Sequence, residues 1–91
     1  MKIPKRIKVI GKYVNIKVLK ELDEEYTLGE WKGLQKVIEL KDDTDMNEIF
    51  LHEIIECVND RCDLELGHSK ISTLSEVLFQ VIEDNKLDFT K

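Results

Sequence analysis

The segment His52-Glu53-Ile54-Ile55-Glu56 combines residue types and a spacing that fit a chemical site. In a helix, residues four apart differ by about 40° around the axis and lie one turn apart, so His52 and Glu56 project side by side. An imidazole and a carboxylate in this arrangement can ligate one metal ion. Glu53 is rotated by about 60° from Glu56, within reach of water held by that ion. The spacing predicts the helix of an HExxH-type metallohydrolase, with glutamate in place of the second histidine.

A third ligand is needed, because a catalytic zinc site uses three protein ligands and keeps one position open. His68 is the only other histidine of the chain. It follows Gly67 at the start of a predicted second helix, and an antiparallel return of that helix would bring its imidazole near His52. We therefore expect His52, Glu56 and His68 to bind zinc, although iron and manganese also accept two histidines and one carboxylate. Glu76 is a weaker candidate for a fourth or alternative ligand.

The same residues also permit a purely structural interpretation. The neighbours of His52 and Glu56 are apolar, and a carboxylate beside an apolar core needs a metal or a cation as a partner. In the structural alternative, His52 and Glu56 form a hydrogen-bonded i, i+4 pair and Glu53 points to solvent. The position of His68 distinguishes the two interpretations. Convergence of the two histidines favours a metalloprotein, and a large separation favours an interaction module.

Hydrophobic periodicity predicts the strands that precede this segment. Residues 5–20 alternate apolar and polar side chains, which is typical of a half-buried hairpin with its turn at Gly11-Lys12. A second hairpin is predicted over 28–40, with its turn at Lys32-Gly33. The polar and acidic residues 21–27 suit an exposed connection between the two hairpins. We expect a small antiparallel sheet of three or four strands between residues 5 and 40.

Two helices are predicted after the sheet. The acidic run at 42–45 favours the N-terminus of a first helix over 44–62. Apolar residues cover so much of this helix that we expect it to lie between the sheet and another helix. The second helix is predicted over 69–85, with Thr73 and Glu76 as a capping box and Asn85 at its end. The fold class is therefore α+β, with two hairpins followed by two packed helices in a single domain, 1–91.

Composition and charge restrict the remaining functions. No stretch approaches the roughly 20 apolar residues of a membrane span, and the N-terminus lacks a signal-like apolar run, so we expect a cytoplasmic protein. Cys57 and Cys62 fit neither a CxxC redox pair nor a zinc ribbon and are expected to be reduced.

The charges are distributed unevenly along the chain. Seven of the 14 cations and none of the 19 acidic residues lie in the first twenty positions, which leaves the remainder with a net charge of -12. Alternating lysines in a hairpin can contact phosphates, but they also keep an exposed sheet face in water. With a net charge of -5 for the whole chain, nucleic-acid binding is disfavoured. The acidic half is a candidate surface for a basic host protein.

The segment that contains His52, together with His68 and a segment closer to the C-terminus, resembles a known family. Residues 51–56, His68 and residues 74–85 are similar to the small zincin-like proteins encoded by phages and prophages of Gram-positive bacteria. The resemblance spans 50–85. It implies a minimal metallopeptidase core in which a short sheet carries the active-site helix and a second helix closes on it. It also implies a protein that acts in the cytoplasm of a bacterial host cell.

The resemblance implies that His52 ligates zinc and that Glu53 is the general base. Glu56 departs from the family pattern, which has histidine at this position. An anionic ligand makes the metal a poorer Lewis acid, so we expect slow or substrate-restricted hydrolysis. A peptide substrate would lie along the edge of the small sheet, as in β-strand addition. The alternative is a non-catalytic acidic module that binds or regulates a host protein.

Overall fold

The computed structural model describes residues 3–22, 27–42 and 45–88. These ranges contain the strands β1 (Arg6–Val9), β2 (Lys12–Leu19), β3 (Gly29–Lys32) and β4 (Val37–Lys41) and the helices α1 (Met46–Cys62) and α2 (His68–Asp84). The predicted α+β fold, a small sheet followed by two helices, is confirmed. Most of the predicted connection over 21–27, and Thr44 at the predicted start of the first helix, lie outside the described residues.

The first hairpin forms as predicted, with its turn one position earlier. β1 and β2 pair in antiparallel, with Val9 opposite Lys12, so that Ile10 and Gly11 make the turn. Their φ angles are 50° and 74°. Two successive residues with positive φ are typical of the type I′ turn that matches the twist of a two-residue hairpin. The turn therefore falls at Ile10-Gly11 rather than at Gly11-Lys12.

The sheet is mixed rather than purely antiparallel. The strand order is β1-β2-β4-β3, and β4 pairs in parallel with β2 and in antiparallel with β3. The two central strands carry the buried side chains Val14, Ile16, Ile38 and Leu40. Pairing β2 with β4 joins these side chains in one continuous core, and it leaves β1 and β3 at the edges.

α1 lies between the sheet and α2, as its apolar circumference predicts. It packs against β3 and β4 with one side and against α2 with the other. The core cluster of buried side chains consists of Val14, Ile16, Ile38, Leu40, Phe50 and Cys57. Cys57 is buried and Cys62 is exposed, and the described residues contain no disulfide bond. Within the described part of the chain, neither helix has the length and apolar character needed to cross a membrane.

α2 begins one residue earlier than predicted and has a different cap. Gly67 is the N-cap residue in an extended conformation, and no side chain among the described residues caps the helix. Thr73 lies inside the helix, where its hydroxyl donates a hydrogen bond of 3.0 Å to the carbonyl oxygen four positions earlier. The predicted capping box of Thr73 and Glu76 is therefore wrong, because the residues before Thr73 continue the helix and bury Ile71. Asn85 is the C-cap residue, as predicted.

Candidate metal centre

The predicted site residues line one pocket of about 460 Å³ formed by β3, α1 and the first residue of α2. α1 contributes His52, Glu53 and Glu56, and α2 contributes His68. The lining consists of Thr27, Gly29, Glu30, Trp31, His52, Glu53, Glu56, Asn59, Asp60 and His68. His52, Glu53, Glu56 and His68 thus face one space, and Glu76, the weaker ligand candidate, does not line it.

His52, Glu56 and His68 converge on one carboxylate oxygen. Nε2 of His52 lies 3.6 Å from Oε2 of Glu56, and Nδ1 of His68 lies 3.7 Å from the same oxygen. The three ligand atoms lie within 4.8 Å of one another. Tetrahedral zinc, with bonds of about 2.0–2.1 Å, separates its ligand atoms by roughly 3.3–3.5 Å. Since the two distances to Glu56 come close to this value, the group can hold a metal ion after a small approach of the two imidazoles.

The distances in this group are longer than hydrogen bonds. At 3.6 and 3.7 Å, neither imidazole nitrogen is close enough to Oε2 of Glu56 for a direct hydrogen bond, which no longer exists at about 3.6 Å. Glu53, which the structural alternative directs toward solvent, is only 7% exposed. A hydrogen-bonded i, i+4 pair with a solvated Glu53 therefore does not describe this site.

Two serines of α2 orient the imidazoles. Ser75 is 2% exposed, and its Oγ lies 3.3 Å from Nδ1 of His52 and donates to the Ser72 carbonyl oxygen at 3.0 Å. Because the hydroxyl proton is used there, Oγ accepts from Nδ1–H, and Nε2 keeps its lone pair on the side of Glu56. The Ser72 hydroxyl lies 3.5 Å from Nε2 of His68, which leaves Nδ1 for Glu56. Metal-ligating histidines commonly make such a second hydrogen bond.

The side chain of Asn59 fixes the segment that leads to His68. The Leu66 N–H donates to Oδ1 of Asn59 at 2.8 Å, and Nδ2 of Asn59 donates to the Leu66 carbonyl oxygen at 3.4 Å. These bonds join the last turns of α1 to the connection that enters α2. The His68 side chain itself is 78% exposed, so its position depends on where this connection holds the start of α2.

Glu53 is held beside the ligand group by a contact with β3. Its carboxylate accepts a hydrogen bond from the backbone N–H of Trp31, which acts to lower its pKa. Burial has the larger effect and, together with the nearby charge of Glu56, raises the pKa of Glu53 from 4.5 to about 7. A carboxyl group with a pKa near neutrality is suited to accept and return a proton.

Gly29 allows this close approach of β3 and α1. A Cβ atom at this position would lie 2.5 Å from Cγ2 of Ile49 and 3.2 Å from both Cγ and Oε2 of Glu53. A side chain here would therefore push against the side chains of Ile49 and Glu53 on α1. Sequence reasoning missed this residue, and its signal is a glycine in a strand, which often marks a close approach of another element.

Sequence reasoning also missed Ser72, Ser75 and Asn59. The signal for Ser75 is a small polar residue in line with the apolar side chains of its helix, and a buried polar group needs a partner. Glu76, in contrast, is exposed, and it does not belong to the group of described residues that could hold a metal ion. Cys57 is buried in the core, and burial raises the pKa of its thiol, in keeping with the predicted packing role.

Comparison of the chain with known protein families, with curated proteins and with solved structures gave no match. The resemblance to zincin-like phage and prophage proteins, and the bacterial cytoplasm that it implies, stay predictions.

Proposed function

We propose that this protein binds one zinc ion through His52, Glu56 and His68 and hydrolyses peptides with Glu53 as the general base. The observation that carries the proposal is the convergence of both histidines of the chain, from two different helices, on one carboxylate oxygen. Two imidazoles and one carboxylate are a ligand set of catalytic zinc, and they leave a fourth position open.

When bound, zinc supplies a Lewis acid that polarises a carbonyl group and makes water more acidic. The chain itself supplies the group that moves the proton. Glu53 lines the same pocket as the three ligands, and the Trp31 N–H and the surrounding side chains hold its carboxylate in place. In this proposal Glu53 takes a proton from the attacking water and delivers it to the leaving amine. Because Glu56 is anionic, we expect the reaction to be slow.

An extended peptide is the substrate class that fits the position of the pocket. β3 is an edge strand of the described sheet, and Gly29, Glu30 and Trp31 line the pocket. Main-chain groups of an edge strand can pair with an added strand, apart from the Trp31 N–H, which here donates to Glu53. A peptide added to β3 would pass its carbonyl groups along the mouth of the metal site.

Metal binding is tested on protein purified without a histidine tag. Elemental analysis and zinc titration after chelation are expected to show one zinc ion per chain for the wild type. His52→Ala and His68→Ala should lose it, because each removes one of three ligands. Glu76→Gln is the matched control, since this exposed carboxylate lies outside the ligand group, and it should bind zinc normally. Protein that takes up no zinc, or equal uptake by the histidine variants, would favour the acidic interaction module.

Catalysis is tested separately with Glu53→Gln. This variant should bind zinc but hydrolyse a mixture of peptides about 10²–10⁴-fold more slowly than the wild type, the usual contribution of a general base. Glu76→Gln again serves as the control and should keep the wild-type rate. Full activity of Glu53→Gln would exclude Glu53 as the base. A zinc-loaded wild type without any peptide hydrolysis would leave metal binding intact and refute the hydrolase.

A further inference from the structure

α2 carries an apolar surface that lies open in the described structure. Leu74, Val77, Leu78 and Val81 follow the i, i+3, i+4, i+7 spacing and are 42%, 53%, 44% and 38% exposed. We call these four residues the α2 stripe. Within residues 3–22, 27–42 and 45–88, α2 packs against α1 and makes no comparable contact with a strand. Soluble proteins turn a continuous apolar stripe of this kind toward another surface.

The α2 stripe points away from the candidate metal centre. At 100° per residue, its centre is about 130° around the helix from the side that carries His68, Ser72 and Ser75. A molecule that covers the stripe therefore leaves the pocket open. The stripe is accordingly independent of the proposed hydrolase.

The two ends of the α2 stripe carry different features. A pocket of about 370 Å³ at its N-terminal end is lined by Leu66, Ser69, Lys70, Thr73 and Leu74. Leu87 follows the C-terminal end and is 44% exposed. The Leu87 N–H donates a hydrogen bond of 3.0 Å to the Ile82 carbonyl oxygen, and this helix-ending motif fixes the leucine at the end of α2. One helix thus carries an apolar pocket at one end and an exposed leucine at the other.

We propose that the α2 stripe is the interface of a homodimer in which two α2 helices pack in antiparallel about a two-fold axis. With the axis between Val77 and Leu78, each Leu74 faces the partner's Val81. The same register brings each Leu87 to the N-terminal pocket of the partner's helix. The N-terminal pocket and Leu87 belong to the same chain, so two copies form the contact between pocket and leucine twice in one closed, symmetric interface.

Charges along the edge of the α2 stripe favour the antiparallel orientation. Lys70 lies near the start of α2, and Glu83 and Asp84 lie at its end. Lys70 and Asp84 both lie on the Val77 side of the centre of the stripe, by about 30° and 70° around the helix. Antiparallel helices meet along like sides, so each Lys70 approaches the partner's Asp84. Parallel helices would place the acidic ends of both copies together, and like charges at an interface are unfavourable.

The interface is small, which sets the expected affinity. One face of one helix buries less than the roughly 1,600 Å² of a standard interface. We therefore expect a dimer with a Kd in the micromolar range or weaker. Sedimentation equilibrium of the full chain between about 10 μM and 1 mM spans this range. The apparent mass should rise from monomer toward dimer, and it should do so equally with zinc and with a chelator.

Val77→Lys tests the α2 stripe directly. It places a charge at the centre of the interface and should raise the Kd at least about 10-fold. Val77 is exposed, so the variant should fold normally, as circular dichroism can verify. Glu76→Lys is the control, because it introduces the same side chain at an exposed position about 150° around α2 from the centre of the stripe and should dimerise like the wild type.

The orientation is tested by exchanging charges. Lys70→Glu and Asp84→Lys should each weaken the dimer, and the double variant should restore it, because only antiparallel helices bring these two positions together. A wild type that stays monomeric throughout the range, or that forms larger species, would overturn the proposal. So would a Val77→Lys variant that dimerises normally, a double variant without rescue, or a dimer that requires zinc. None of these results bears on metal binding by the isolated chain.

Discussion

Replacement of Gly29 by alanine tests the contact that holds Glu53 at the pocket. The added Cβ would lie 2.5 Å from Cγ2 of Ile49 and 3.2 Å from two atoms of Glu53. Carbon atoms in contact are ordinarily about 3.5–4.0 Å apart. β3 and α1 must therefore separate by about 1 Å at this point, or Ile49 must leave its preferred rotamer.

The cost follows from this overlap. Overpacking by one methyl group destabilises a protein by about 1–3 kcal/mol. In a domain of this size each kcal/mol lowers the Tm by about 4–8 °C, so we expect a fall of roughly 5–20 °C. Metal binding should change less than stability, because His52 and Glu56 lie on one helix turn and move together. The proposed peptide hydrolysis should fall more steeply, since Glu53 is displaced.

The assay is urea and thermal denaturation of Gly29→Ala, Ile49→Ala and the double variant. Alanine at position 49 removes the clashing methyl group, so Gly29→Ala should cost less in that background, with a coupling of about 0.5–3 kcal/mol. Gly67→Ala is the control, because a Cβ at position 67 meets no atom of the described residues within 4 Å, and it loses only the preference for glycine over alanine at the N-cap of α2. A Gly29→Ala variant as stable as Gly67→Ala, or strict additivity with Ile49→Ala, would refute the reasoning.

Three further predictions concern single groups. Folding raises the pKa of Glu53 from 4.5 to about 7, so the folded protein binds more protons than the unfolded protein between these pH values. After removal of metal with a chelator, the protein should therefore lose about 3 kcal/mol of stability as the pH rises through this window. Glu53→Gln should lack this loss in urea titrations at pH 5 and pH 8, and equal pH dependence of the two proteins would contradict it. Iodoacetamide should label the exposed Cys62 of the native protein and spare Cys57, whose thiol is buried and has a raised pKa. In urea both thiols should react, as mass spectrometry can detect. Equal labelling of both cysteines in the native protein would exclude the buried position of Cys57. Asn59→Ala removes both hydrogen bonds to Leu66 and should cost about 1–3 kcal/mol in urea denaturation. It should also weaken zinc binding in a titration, and unchanged affinity would show that this bridge does not position the ligands.

The secondary structure of this protein was predictable from local patterns. The period of two in residues 5–20 and the helical spacing after 44 appear in the structure as β1, β2 and α1, with ends shifted by one or two residues. The sheet order was not predictable in this way. Insertion of β4 beside β2 is a pairing between Ile16 and Ile38, which are far apart in the chain, and no local period encodes it.

In the candidate site, too, local geometry predicts one part and packing decides the other. His52 and Glu56 are brought together by helix geometry alone, so their spacing is sufficient to predict the pair. The position of His68 could be expected because the chain has one other histidine, but its distance from Glu56 depends on how α2 packs on α1.

Tertiary structure decided the environment of these groups. Glu53 is buried because a glycine in β3 admits α1 and a β3 amide meets its carboxylate, and both contacts join residues more than twenty positions apart. The tautomer of His52 likewise depends on Ser75 from the other helix. The sequence by itself determined which groups share one helix turn, since backbone geometry sets that. Burial, pKa and hydrogen-bond partners arise between elements, and only packing of the whole chain decides them.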